Sequence, residues 1–186
     1  MLLAGFLFAS CSDVNLNSVN QPEKGKFSLI PIPGKAGLTS EAQFSTSALI
    51  DGSVGGSLSM DQSYLGTNGN QVTLHVLMTI PAGAFTGQQT ITLTADDQYA
   101  ALKCYPAMVF SQSLSLDFSY TGLTLNRNNL ANGVTGFYFI ADDGTIQPVS
   151  SKGVVVNVSQ GRVAVNNAKI DHFSRYGWGT LDGFAQ

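Results

Sequence analysis

Reactive side chains are scarce in this chain, which has two cysteines and two histidines among its 186 residues. Cys11 follows the small pair Ala9-Ser10, at the end of a short uncharged apolar run from Leu2 to Phe8. A thiol at the end of a cleavable apolar leader is placed to receive acyl chains once the leader is removed. Cys104 then lacks a partner and is expected to sit as a small buried hydrophobe in a strand, with a Cys11–Cys104 disulfide as the rival reading. His75 falls on the polar side of an alternating stretch and reads as a surface histidine. His172 stands two residues before Ser174. In a regular strand alternate residues lie roughly 7 Å apart, too far for a tight hydrogen bond without a kink. His172 therefore reads first as a packed histidine bonded to a backbone carbonyl. Phe173 would share its strand face with Lys169, Asp171 and Arg175. That is a poor fit for a bulky ring, so Phe173 must pack on an adjacent element or a bulge must flip the register.

Other chemistry finds little support. No Cys/His cluster has zinc spacing, and Asp96-Asp97 and Asp142-Asp143 fit turns as well as calcium. Phosphate loops, dinucleotide fingerprints and the Gly-x-Ser-x-Gly elbow are absent. The chain is thus expected to use no cofactor and no metal, and not to be an enzyme. Trp178 and Tyr176 could anchor an interface or a glycan, but aromatics placed this late more commonly cap a core.

The elements that position these residues begin with the leader. Its apolar run is about half the length of a membrane-spanning helix and reads as the core of a signal peptide. Ala9-Ser10-Cys11 resembles the end of the bacterial lipoprotein signal, with Phe8 where leucine is usual. The alternative is a soluble protein with a hydrophobic N-terminal strand. Each buried methylene of an attached chain contributes about 0.8 kcal/mol, so several chains would hold the protein on a membrane. Residues 12–26 are rich in Ser, Asn, Gln and charge and cannot bury enough surface to fold alone. The expected organisation is a signal peptide at 1–10, the lipid-attachment cysteine and a mostly flexible tether at 11–40, a folded body at 41–179 and a tail at 180–186. The expected location is the cell envelope, on the periplasmic or outer-membrane face.

The body is long enough for one sizeable core. Charged residues are only 11% of the chain, against about 25% in ordinary soluble domains. The net charge is -3 with no basic run, which excludes nucleic acid as an expected partner. Periodicity sets the class. Val72, Leu74, Val76, Met78 and Ile80 alternate with Thr73, His75 and Thr79, and the pattern recurs over 90–95 and 114–120. Denser β-branched and aromatic runs at 137–141 and 154–158 suit central strands. Asp51-Gly52 joins strands at 43–50 and 53–60. Asp142-Asp143-Gly144 and Gln160-Gly161 read as hairpin turns. A further strand is expected over 170–176, and polar mobile loops over 61–70 and 126–133. With no helical stripe, the expected fold is an all-β, antiparallel two-sheet β-sandwich.

Three motifs stand in order: Gly55-Gly56, then Ile80-Pro81-Ala82-Gly83-Ala84-Phe85, then His172-Phe173-Ser174-Arg175-Tyr176. Over 48–178 the chain resembles the ZU-five β-sandwich domain of ankyrins, zonula-occludens scaffolds and netrin receptors, with Phe85 where that family usually has leucine. Pro81 should end ladder pairing, Gly83 should take a backbone angle other residues resist, and Phe85 should fold back as an apolar plug. The resemblance implies an interaction module, hence a lipid-anchored, non-enzymatic interaction or spacer module whose partners are the membrane, through Cys11, and an unidentified protein or envelope component. It also implies an alternative: self-cleavage between Phe173 and Ser174, with Ser174 attacking the Phe173 carbonyl, His172 taking the hydroxyl proton, the amide becoming an ester and water then hydrolysing that ester. Such a cut requires a strained bond. A carbohydrate-binding surface module is a third reading, which would need exposed aromatic rings.

Overall fold

The structure, a computed structural model, describes residues 26–37, 43–126, 130 and 133–182. The expected signal at 1–10, Cys11, most of the tether and the extreme tail lie outside the described residues, as does most of the 126–133 loop.

Twelve strands make up the body: β1 (Phe27–Leu29), β2 (Ser45–Asp51), β3 (Gly56–Leu65), β4 (Gln71–Ile80), β5 (Gln88–Ala95), β6 (Ala101–Tyr105), β7 (Val109–Thr121), β8 (Gly133–Ile140), β9 (Ile146–Pro148), β10 (Gly153–Asn157), β11 (Arg162–His172) and β12 (Arg175–Asp182). They form two sheets packed face to face, an all-β sandwich. The seven-stranded sheet runs β2-β5-β6-β12-β8-β9, with β1 also on β12, and the five-stranded sheet runs β10-β11-β7-β4-β3. Every pairing is antiparallel.

The alternation read from the sequence sorts side chains as a sandwich requires. In β4, Val72, Leu74, Val76, Met78 and Ile80 are all buried, while His75 and Thr79 are exposed. Aromatic rings join the layers: Phe118 of β7 meets Phe137 of β8 edge-on at 5.7 Å, and Phe137 meets Trp178 of β12 at 5.5 Å. Such aromatic contacts contribute beyond the area they bury. Trp178 and Tyr176 are therefore central core residues rather than a cap.

The expected hairpins at 142–144 and 160–161 connect β8 to β9 and β10 to β11. Residues 52–55 do something different: β2 and β3 lie in different sheets, so this turn carries the chain across the sandwich. The polar stretch expected to be a mobile loop from 61 is strand as far as Leu65, because Asp61 through Leu65 pair in register with His75 through Gln71. Asn167 accommodates a bulge in β11 with φ 51°, its amide donating to Asp117 at 2.7 Å. Asparagine tolerates that left-handed angle better than most residues.

Residues 27–36 fall inside the segment read as tether, yet here they belong to the body. β1 pairs with the far half of β12, end to end with β6 on the same side. Phe27 and Leu29 lie over Gly179 and Gly177, and a Cβ added at Gly179 would stand 2.3 Å from the Phe27 ring. Phe27 also meets Tyr138 edge-on at 5.2 Å. The strand β12 likewise runs to Asp182, past the expected boundary at 179. Strand directions give the sandwich two ends. Lys26 and turns 66–70 and 158–161 share one end, and turns 52–55, 81–87 and 106–108 share the other.

Candidate functional site

His172, Phe173 and Ser174 form the corner where the chain leaves the five-stranded sheet at the end of β11 and enters the seven-stranded sheet as β12. The single strand expected over 170–176 is thus divided between two sheets. A register shift between Ile170 and His172 turns the corner, and Phe173 drops into the core at 4% exposure, edge-on to Phe110 at 4.7 Å. The bulge and the packing together resolve the misfit of a bulky ring among charges.

The corner is held by backbone bonds on both sides. The Phe173 N–H donates to the Met108 carbonyl at 2.8 Å, and the Cys104 N–H donates to the Ser174 carbonyl at 2.9 Å. No non-glycine residue of the corner has positive φ. Tyr176 Oη donates its one proton to the His172 carbonyl at 2.6 Å. The same oxygen lies 2.9 Å from His172 Nδ1. A phenol has a single hydrogen to give, so Nδ1–H must be the donor of the second bond, which leaves Nε2 as the basic nitrogen of neutral His172. The ring of Phe139 lies 4.5 Å from that imidazole. No hydrogen bond joins His172 to Ser174. Asp171, next in the chain, accepts from the Ser113 hydroxyl instead of orienting the histidine. The predicted trio is contiguous in space, but its histidine is bonded to a tyrosine.

Cys104 is buried in β6, where burial pushes its thiol pKa up, so it is poorly suited to nucleophilic or redox work. A buried place in a strand is what the sequence suggested for it, although β6 itself was not among the strands read there. His75 is a surface histidine bonded through Nδ1 to Asp61 across β3 and β4. Its register neighbour on the other side is Ser119 of β7. His75 and Asp61 stand on an exposed sheet face. The paired aspartates act in turns: Asp96 Oδ1 accepts from the Gln98 and Tyr99 amides, and Asp143 Oδ1 accepts from the Thr145 amide. Among the described residues, no group of three or more His, Cys, Asp or Glu could hold a metal.

The central motif closes the end away from Lys26. β4 stops at Ile80, just before Pro81, and Gly83 takes φ 84°. The Gly83 amide donates to the Gly52 carbonyl at 2.7 Å. Phe85 is 7% exposed and packs on Phe110, and a Cβ at Gly52 would stand 2.4 Å from its ring.

One grouping was not visible in the sequence. On the outer face of the seven-stranded sheet, Ser45, Thr94, Lys103 and Arg175 stand side by side across β2, β5, β6 and β12. Arg175 Nη2 donates to Asp96 Oδ2 at 2.7 Å, and Lys103 Nζ lies 5.1 Å from the centre of the Tyr105 ring. The only signal for it in the sequence was the two-residue spacing of Lys103 and Tyr105, which puts both on one strand face. Comparison of the chain with protein-family models, with curated proteins and with solved structures gave no match.

Proposed function

We propose that this protein is a lipid-anchored β-sandwich of the cell envelope, acylated at Cys11, that works outside the cytoplasm as a non-enzymatic interaction module. The observation that carries the reading is the route of the chain at Lys26. β1 is locked onto β12, and the Asp182 amide donates to the Lys26 carbonyl at 3.0 Å. Lys26, where the described chain begins, therefore stands at one end of the sandwich. A tether from Cys11 would join the body at that end, opposite the 52–55, 81–87 and 106–108 turns.

The three motifs that resemble the ZU-five domain support binding as the task of the body, since in ankyrin-type members that domain is an interaction module. The corner geometry supports the same reading over self-processing, because no hydrogen bond joins His172 to Ser174. The test is Cys11→Ser in cells fed a fatty-acid analogue. The expected result is loss of labelling and release of the protein from membranes. Unchanged labelling, or a soluble wild type that still carries residues 1–10, overturns the proposal.

A further inference from the structure

Nine Lys and Arg side chains serve the whole chain, yet Lys103 and Arg175 stand directly opposite each other on adjacent strands of an outer sheet face. Like charges at opposed positions destabilise a sheet. The relief on hand is partial. Asp96 takes Arg175 at 2.7 Å, whereas Lys103 has, among the described residues, the Tyr105 side chain and the attraction of Asp142 from the β8–β9 turn.

The two cations border a hollow of about 370 Å³, a size within the range of ligand sites. Gln43, Thr94, Ala95, Asp96 and Tyr105 complete its lining. Tyr105 is 42% exposed, an aromatic ring left on an otherwise hydroxyl-rich face. Beside it Ser45 and Thr94 share a hydrogen bond at 3.1 Å, and Ser47 and Thr92 share one at 2.8 Å.

We infer that this hollow, in which Lys103, Arg175, Tyr105, Thr94 and Gln43 stand beside an Asp96 carboxylate already paired with Arg175, binds an acidic saccharide through the carboxylate of a uronate residue. A carboxylate accepts charge-assisted hydrogen bonds from the ammonium and the guanidinium. It also relieves the repulsion between them. The Tyr105 ring offers an apolar face to the C–H side of a sugar, and Thr94 and Gln43 offer donors and acceptors to its hydroxyls. A neutral sugar would make no charge-assisted bond to Lys103, whose neighbour Arg175 is already paired with Asp96. An acidic peptide would use the cations but would have little use for the ring and the hydroxyl row. The inference rests on the interaction-module reading of the body, to which it adds the chemistry of the partner.

The test is calorimetric titration of the full chain with three probes: trigalacturonate, neutral maltotriose and pentaglutamate. Trigalacturonate is expected to bind, weakening as salt is raised, with no heat from maltotriose and weaker binding of pentaglutamate. Lys103→Gln, at an exposed position, should weaken trigalacturonate by roughly tenfold or more. Tyr105→Ala should weaken trigalacturonate while leaving pentaglutamate unchanged. If a variant does not fold, the three wild-type titrations decide. Equal binding of maltotriose, tighter binding of pentaglutamate, or no heat from any probe overturns the inference. Fatty-acid labelling of Cys11 in the same cells reads the anchor separately, so that either result can fail without the other.

Discussion

At the scale of single residues, the fact that bears most on self-cleavage is that His172 makes no hydrogen bond to Ser174. Its Nδ1–H goes to Tyr176 Oη, and its backbone carbonyl takes the Tyr176 proton. An imidazole acting as a general base must reach the proton it removes, and no bond joins this one to Ser174. The amide it would help to break is flanked by two ordinary backbone bonds. Intact-mass measurement of the purified wild type under denaturing conditions should therefore give a chain continuous through Phe173-Ser174, identical in cleavage state to Ser174→Ala. A released peptide beginning at Ser174 in the wild type alone would reverse this conclusion. The sequence correctly marked Phe173 as a misfit in a regular strand. It could not show that the remedy is a change of sheet, because the bonds that hold the corner come from Met108 and Cys104, far away in the chain.

At the scale of elements, β1 is the most consequential strand and among the shortest. Its Phe27 and Leu29 side chains lie in space left by Gly179 and Gly177. The Ile30 amide donates to the Trp178 carbonyl, the Trp178 amide to Ala100, and the Ala100 amide to Ile30. Gly179→Ala puts a methyl 2.3 Å from the Phe27 ring and 3.0 Å from the Ser28 carbonyl oxygen, so the ring has to leave its place over β12 and the β1 backbone to give slightly. Amide hydrogen exchange should read this as faster exchange at Ile30, with the β3–β4 and β4–β7 ladders still protected. Unchanged exchange at Ile30 would mean that β1 is not held by this packing. Three residues with one serine between two apolar side chains carry too little periodicity to be read as a strand from sequence. The partner that makes β1 a strand lies about 150 residues downstream, in a β12 whose glycines leave room for it.

At the scale of the whole molecule, the sandwich is a protein with few charges whose buried titratable groups are almost all acids kept neutral. Burial pushes up the pKa of the Cys104 thiol and of the Tyr120 and Tyr176 phenols, from ordinary values of 9.0 and 10.0. Above those ordinary values the unfolded chain has lost protons that the folded protein retains, so unfolding releases protons and stability falls as pH rises. Thermal melts should accordingly hold steady through neutral pH and drop progressively above the ordinary cysteine and tyrosine values. Tyr176→Phe should shed part of the alkaline slope, at the expense of its bonds to His172. A melting temperature flat into strong alkali would show that these groups are not buried as the sandwich requires.

The sequence by itself determined the class of the body, most of its strands, two of its hairpins and the buried fate of Cys104. Alternation with period two and turn chemistry are local properties, written within a few residues of where they act. Which strands share a sheet, where the chain crosses between layers, and which side chains become neighbours were decided by the tertiary structure alone. Arg175 and Asp96, which pair across 79 positions, and the Lys103–Arg175 juxtaposition exist only because β12 inserts beside β6. Strand order is a matter of long-range pairing, set by the mutual fit of two buried faces, and no window of the chain contains both partners.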